Sequence, residues 1–211
     1  MSFSWDDMLF WSSGEWETAQ EKLDDEEEAG YVVCPERTRL FEALDVVPYA
    51  NVSVAILGQD PYPNLRHANG IAFSVCPRTK ELPSSLRNIY SEYVHDLGYP
   101  HPHSGDLSRW CERGVLLWNV FPSCREGQPG SHHWPEWETL TEEILRRLDE
   151  KGNVVFAFLG RVAGSFRVCV EHSPCIETSH PSPLGARQGF IGSRLFSAIN
   201  KELKKPIYWR L

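Results

Sequence analysis

At 211 residues and 24.2 kDa, with 41% hydrophobic and 12% aromatic residues, the chain fits one globular domain with ample length for a core. No apolar run approaches the ~20 residues that span a bilayer, and the start Met1-Ser2-Phe3-Ser4-Trp5-Asp6-Asp7 has neither a basic n-region nor an apolar h-region. A cytoplasmic chain is therefore expected. The net charge of −8 argues against a polyanionic partner until it is localised: residues 1–30 carry ten acids against Lys22 alone, so the rest sums to about +1.

In chain order, hydrophobic periodicity predicts helices over Trp5–Trp11 and Glu15–Glu27, the second an acidic, solvated face turned away from any polyanion. The apolar run Val52–Leu57 reads as the first strand and Ser84–Asp96 as a helix with Leu86, Ile89, Tyr90 and Tyr93 on one face. A strand at Val115–Asn119, a helix at Trp137–Asp149 and a strand at Val154–Leu159 follow. Arg161–Glu171 reads as helix, Cys175–Thr178 as a short strand and Ile191–Lys204 as a closing helix. Strands alternating with helices of this length imply an α/β fold: a central four-stranded parallel sheet with helices on both faces. No repeat or linker interrupts it, so residues 1–211 read as one domain, an acidic helical segment (1–50) followed by the core (51–211).

Four strand ends carry residues that are odd as packing: Asp60, Asn119, Gly160 and His180. Singly, an Asp before proline is a turn former, a terminal Asn caps its own turn, and a lone His is a structural residue. Their convergence on the carboxyl edge of one parallel sheet, where ligands gather, favours a site. Phe121–Pro135, rich in Pro, Gly, Ser and His, is a long loop after a strand end, a frequent place for function. From His180 to Leu211 the chain is basic, with Arg187, Arg194, Lys201, Lys204, Lys205 and Arg210 against Glu202. Such a local surface decides phosphate binding more than total charge does.

Four ordered blocks resemble the classical (family 1) uracil-DNA glycosylases over roughly residues 50–210. They are Gly58-Gln59-Asp60-Pro61-Tyr62, Ala68-Asn69-Gly70-Ile71-Ala72-Phe73-Ser74, Leu116-Leu117-Trp118-Asn119, and His180-Pro181-Ser182-Pro183-Leu184 followed by Gly189-Phe190-Ile191-Gly192. The resemblance implies excision of uracil from single- and double-stranded DNA by a cofactor-free, metal-free monomer, open to the DNA-mimicking protein inhibitors of that family. It implies a bacterial or bacteriophage-type protein working at the nucleoid. By the same resemblance, Asp60 and His180 are catalytic, and Gln59, Tyr62, Phe73 and Asn119 contact the base. Ser85, Ser182, Leu184, Arg187 and Arg194 then meet DNA, with Leu184 as an apolar wedge.

Several positions depart from the family pattern. Pro63 stands where many members have His, Gly185 where a phosphate-contacting serine is usual, and Trp118 where Leu is usual. Phe121-Pro122-Ser123-Cys124 replaces a more aliphatic run, and Leu159 precedes Gly160 where Trp is common. The six cysteines (Cys34, Cys76, Cys111, Cys124, Cys169, Cys175) form no C-x-x-C pair, which reads as free thiols and disfavours the iron–sulfur glycosylase families. Three rivals are weighed: a non-catalytic DNA-binding module on the same fold, against which Asp60 and His180 are both present; a broad mismatch-directed glycosylase, against which Tyr62 and Phe73 argue; and a nucleotide-binding α/β protein. Against the last, no G-x-G-x-x-G or Walker loop follows the first strand.

Overall fold

The structure is a computed structural model that describes residues 3–211. In chain order these form α1 (Glu15–Glu28), β1 (Val33–Cys34), α2 (Glu42–Val46), β2 (Val54–Gly58), α3 (Ser84–Leu97), α4 (Ser108–Cys111), β3 (Val115–Asn119) and β4 (Cys124–Arg125). Then come α5 (Pro135–Lys151), β5 (Val155–Leu159), α6 (Arg161–Ser165), β6 (Cys175–Thr178), α7 (Pro183–Gly185) and α8 (Leu195–Glu202).

The main sheet runs β3-β2-β5-β6, parallel throughout. Every residue of β2, β3 and β5 is buried, as strands covered on both faces must be. α3 packs against α8 and α1 against α5, so helices flank the sheet on both faces. The chain leaves β2 for β3 on one side and β5 for β6 on the other. The crevice beyond the carboxyl ends of β2 and β5 is therefore the topological switch point, the usual ligand site of such sheets. Trp5, Phe10, Ala19 and Leu23 join the same core as the strands, so the N-terminal segment is packed into the domain.

Three expected elements differ. Trp5–Trp11 is not one helix but two 3₁₀ turns, Trp5–Asp7 and Leu9–Trp11, separated by an extended Met8. The amides of Leu9 and Phe10 donate to the Glu143 carboxylate at 2.8 and 2.9 Å, a tertiary partner that replaces the helical ladder. The segment expected as helix over Arg161–Glu171 stops at Ser165 and continues as a 3₁₀ turn, Phe166–Cys169. The closing helix starts at Leu195 rather than Ile191, because Gly192 and Arg194 take positive φ and aim their amides at Glu92. The short antiparallel pair of β1 with β4 has no counterpart among the predicted elements.

Candidate active site

Glycine at position 58 sets the site's geometry. A Cβ there would lie 2.8 Å from both Asn119 Oδ1 and the Phe73 ring, so only glycine lets the two converge on the end of β2. Asn119 pairs with Gly58 across the sheet. It is 9% exposed, yet among the described residues its side-chain amide makes no hydrogen bond to protein. Its amide atoms still reach solvent, so they are open to a ligand at the end of the strand.

Phe73 is buried with φ +65°, a left-handed conformation that a bulky residue adopts only when its surroundings impose it. The Tyr62 hydroxyl supplies part of that constraint by donating to the Phe73 carbonyl at 2.9 Å, and Ser85 Oγ donates to the Tyr62 hydroxyl at 3.0 Å. Burial pushes the Tyr62 phenol up, so it stays a neutral donor. The Phe73 ring lies 5.9 Å from the His180 ring, centroid to centroid.

Asp60 follows β2 and is half-buried. Burial pushes its carboxyl up from the ordinary value. The backbone N–H of Gly130, the charge of His133 and the side chain of Gln59 partly counter this. His180 follows β6 beside Gly160, where a Cβ would sit 2.8 Å from His180 Cβ. Burial pushes the imidazole down toward its neutral form. Its Nδ1 lies 3.1 Å from the amide of Ser182. That amide can only donate, so Nδ1 accepts and the neutral ring carries its proton on Nε2.

The loop of Ser182 is tied down on both sides. Ser182 Oγ accepts from the Gly185 amide at 3.4 Å, and Asn88 of α3 donates to the Pro181 carbonyl at 2.8 Å. A side chain at Gly185 would meet the His180 carbonyl, its Cβ 2.2 Å from the oxygen, which explains this departure from the usual serine. Leu184 projects from the loop, 84% exposed. Arg187 and Arg194 are exposed on the segment that follows.

The structure thus brings Gln59, Asp60, Tyr62, Phe73, Asn119 and His180 to one crevice, with Ser85 bonded to Tyr62. Leu184, Arg187 and Arg194 lie outside it. Sequence reasoning missed the support behind Asp60. Gly130 and His133 belong to the 121–135 loop, whose other members are locked beneath it. Both carboxylate oxygens of Glu26 on α1 accept from the Nε–Nη2 edge of Arg125, and this pairing draws the Glu26 carboxyl below its usual value. His132, fully buried, contacts Ser123 Oγ through Nδ1 at 2.9 Å, and Trp137 Nε1 donates to the same hydroxyl at 3.0 Å. Burial holds His132 down at about 4, so it is neutral, with Nε2 3.6 Å from Glu26. Glu26 is therefore a correction to the expected solvated acidic face. The loop's Gly and His content was the available signal; the partner on α1 left none.

All six cysteines are free thiols, four of them buried. Among the described residues no helix is long and apolar enough to cross a membrane.

The family model of the Uracil DNA glycosylase superfamily matches residues 44–204. A uracil-DNA glycosylase of Thermobifida fusca is 48% identical over 169 residues, which cover 78% of this chain and 74% of that one. The crystal structure of mimivirus uracil-DNA glycosylase superposes with a TM-score of 0.86 at 26% identity, covering 96% of this chain and 85% of that one. A mimivirus UNG variant in complex with UGI gives 0.88 at 27% identity, covering 98% and 88%.

Proposed function

The chain belongs to the uracil DNA glycosylase superfamily and removes uracil from DNA, and we propose that the crevice around Asn119 is where its own residues carry out that excision. The observation that carries the site assignment is the nearly buried amide of Asn119, unpaired within the protein, beside Phe73, Asp60 and His180. An amide can accept from uracil N3–H and donate to O4. Phe73 offers a stacking face, and Tyr62 stands as a wall against the C5 methyl that distinguishes thymine. Attraction alone separates two such bases by only ~1–3 kcal/mol, so a steric barrier is the efficient device.

The target base must leave the helix before its glycosidic bond can be reached. As that bond breaks, positive charge builds on the sugar and negative charge on the uracil. Asp60, held by the Gly130 amide, stabilises the sugar cation and orients the attacking water. His180 meets uracil O2 with Nε2–H, the tautomer that the Ser182 amide enforces. A preorganised donor of this kind contributes ~3–4 kcal/mol. The neutral form, favoured by burial, donates without bringing a full charge to the leaving group.

Leu184 fills the gap left by the extruded nucleotide, while Ser85, Ser182, Arg187 and Arg194 meet the backbone phosphates. Ser85 reaches phosphate only by releasing Tyr62, its partner here. The protein acts as a monomer in the cytoplasm at the nucleoid, and DNA-mimicking inhibitors occupy the same face. The UGI complex of the mimivirus UNG variant supports that last reading.

The site assignment is tested with free uracil as a competitive inhibitor of excision. Wild type should be inhibited, and Asn119→Ala should lose at least tenfold in both uracil affinity and excision rate. An Asn119→Ala variant inhibited and active like wild type would remove the crevice from base recognition.

A further inference from the structure

The segment between Tyr62 and α3 carries a basic surface that the assignments above leave unused. Arg66, His67, Cys76, Arg78, Lys80 and Glu81 line one surface concavity of about 310 Å³. Arg66, Arg78 and Lys80 are all exposed. Among the described residues, none of the three pairs with a carboxylate within 4.0 Å, whereas Arg37, Arg125, Arg146 and Arg147 each have an acidic partner. Three cations thus face one acid, Glu81, across a single depression. An unpaired cluster of this sign attracts a polyanion.

Its position ties it to the crevice. The His67 ring stands edge-on to Tyr62, 6.1 Å between centroids. The segment that carries Arg78 and Lys80 runs straight into Ser84 and Ser85 at the start of α3, and Arg87 of α3 closes it by donating to the Leu82 carbonyl at 2.9 Å. Asn88, the next residue of the same helix, grips the loop of His180 and Leu184. The first turns of α3 therefore touch both the basic segment and the histidine loop. No side chain caps this helix.

We propose that Arg66, Arg78 and Lys80 form a second DNA track, holding phosphates of the bound DNA a few nucleotides from the extruded uracil. The inference rests on the uracil-excision reading and extends its footprint to a surface apart from Arg187 and Arg194. Long, exposed cations suit this task, because phosphate contacts set register and affinity without reading sequence. Each neutralised phosphate releases counterions, so its signature is the salt dependence of binding, about 0.9 in log–log slope per contact on duplex DNA.

The test compares wild type with Arg66→Ala/Arg78→Ala/Lys80→Ala on two substrates. Binding is measured from low to high salt on a duplex of roughly 20 base pairs carrying a tetrahydrofuran abasic analogue, which no chemistry consumes. Excision is measured separately on a uracil trinucleotide too short to reach the concavity. The expected result is a salt slope reduced by about two to three units. Duplex affinity at low salt should fall at least tenfold, and trinucleotide excision should be unchanged. The charge-keeping variant Arg66→Lys/Arg78→Lys should retain the wild-type slope. A wild-type slope in the triple variant would overturn the proposal. So would equal losses on trinucleotide and duplex, which would assign the residues to the stability of the pocket. If wild type released no uracil from the trinucleotide, the excision reading would fail instead, while the slope would still report on the surface.

Discussion

The hydroxyl of Tyr62 donates to the Phe73 carbonyl at 2.9 Å, so the ring proposed as the wall against the thymine methyl also holds Phe73 in its left-handed backbone. The two roles separate by substitution. Tyr62→Phe keeps the wall and loses the anchor: uracil excision should fall about tenfold, with no thymine released. Tyr62→Ala loses both, and thymine should leave DNA at a measurable rate. Base release from matched uracil and thymine oligonucleotides checks this. Tyr62→Ala that excises uracil and never thymine would make the ring a packing element only.

Asp60 is expected to cost stability while it serves catalysis. Its carboxyl is pushed up by burial, so the ionised form is disfavoured in the folded protein. That penalty is absent below the unfolded-state value of ~3.9 and complete once pH exceeds the raised native value. Asp60→Asn, whose amide oxygen can still accept from Gly130, should be at least as stable as wild type at pH 7. The advantage should vanish toward pH 4. Urea midpoints at the two pH values decide it, and a variant markedly less stable at pH 7 would contradict the burial argument. The acid limb of wild-type excision should likewise lie above the ordinary aspartate range.

Leu184, exposed at the tip of its loop, should matter in proportion to the stacking it must replace. Unstacking and unpairing cost a few kcal/mol in a duplex and less in a single strand. Leu184→Ala should therefore slow excision from duplex at least tenfold more than from single strands. Single-turnover rates on the two substrates measure the ratio, and equal losses would rule out the wedge.

The loop behind Asp60 predicts a positioning role for a residue of the acidic N-terminal helix. Glu26 holds Arg125, which opens the segment that delivers the Gly130 amide to Asp60. Glu26→Gln should lower kcat several-fold with little change in KM, and Glu26→Asp should recover part of it. Loss confined to thermal stability, with kcat intact, would leave the pair structural.

Much of this site was legible in the chain. β3 falls at Val115–Asn119 as expected, because a strand buried on both faces leaves an uninterrupted apolar run, and the half-buried edge strand β6 falls at Cys175–Thr178 as expected too. Asp60, Asn119 and His180 could be placed at strand ends because a parallel sheet puts all its carboxyl ends on one edge. What stayed hidden depends on distant partners. The 3₁₀ turns near Trp5 exist because Glu143 captures two amides, and the late start of α8 exists because Glu92 captures two more. Glu26 looked like its acidic neighbours; only the fold sets it against Arg125, 99 residues away. The unpaired state of Asn119 is likewise a property of its surroundings that no residue type records.

The proposed mechanism has Asp60 and His180 divide the charge of one bond-breaking step between sugar and base. Its most direct measurement is the single-turnover release of free uracil from a uracil-containing oligonucleotide, with the abasic product cleaved by alkali. Wild type, Asp60→Asn and His180→Ala are compared in the presence of EDTA. Wild type should release uracil fully, and each variant should be slower by two orders of magnitude or more, as expected for removing ~3–4 kcal/mol of charge stabilisation. The variants should keep the wild-type fold by circular dichroism. A folded Asp60→Asn or His180→Ala variant that excises uracil near the wild-type rate would contradict the account.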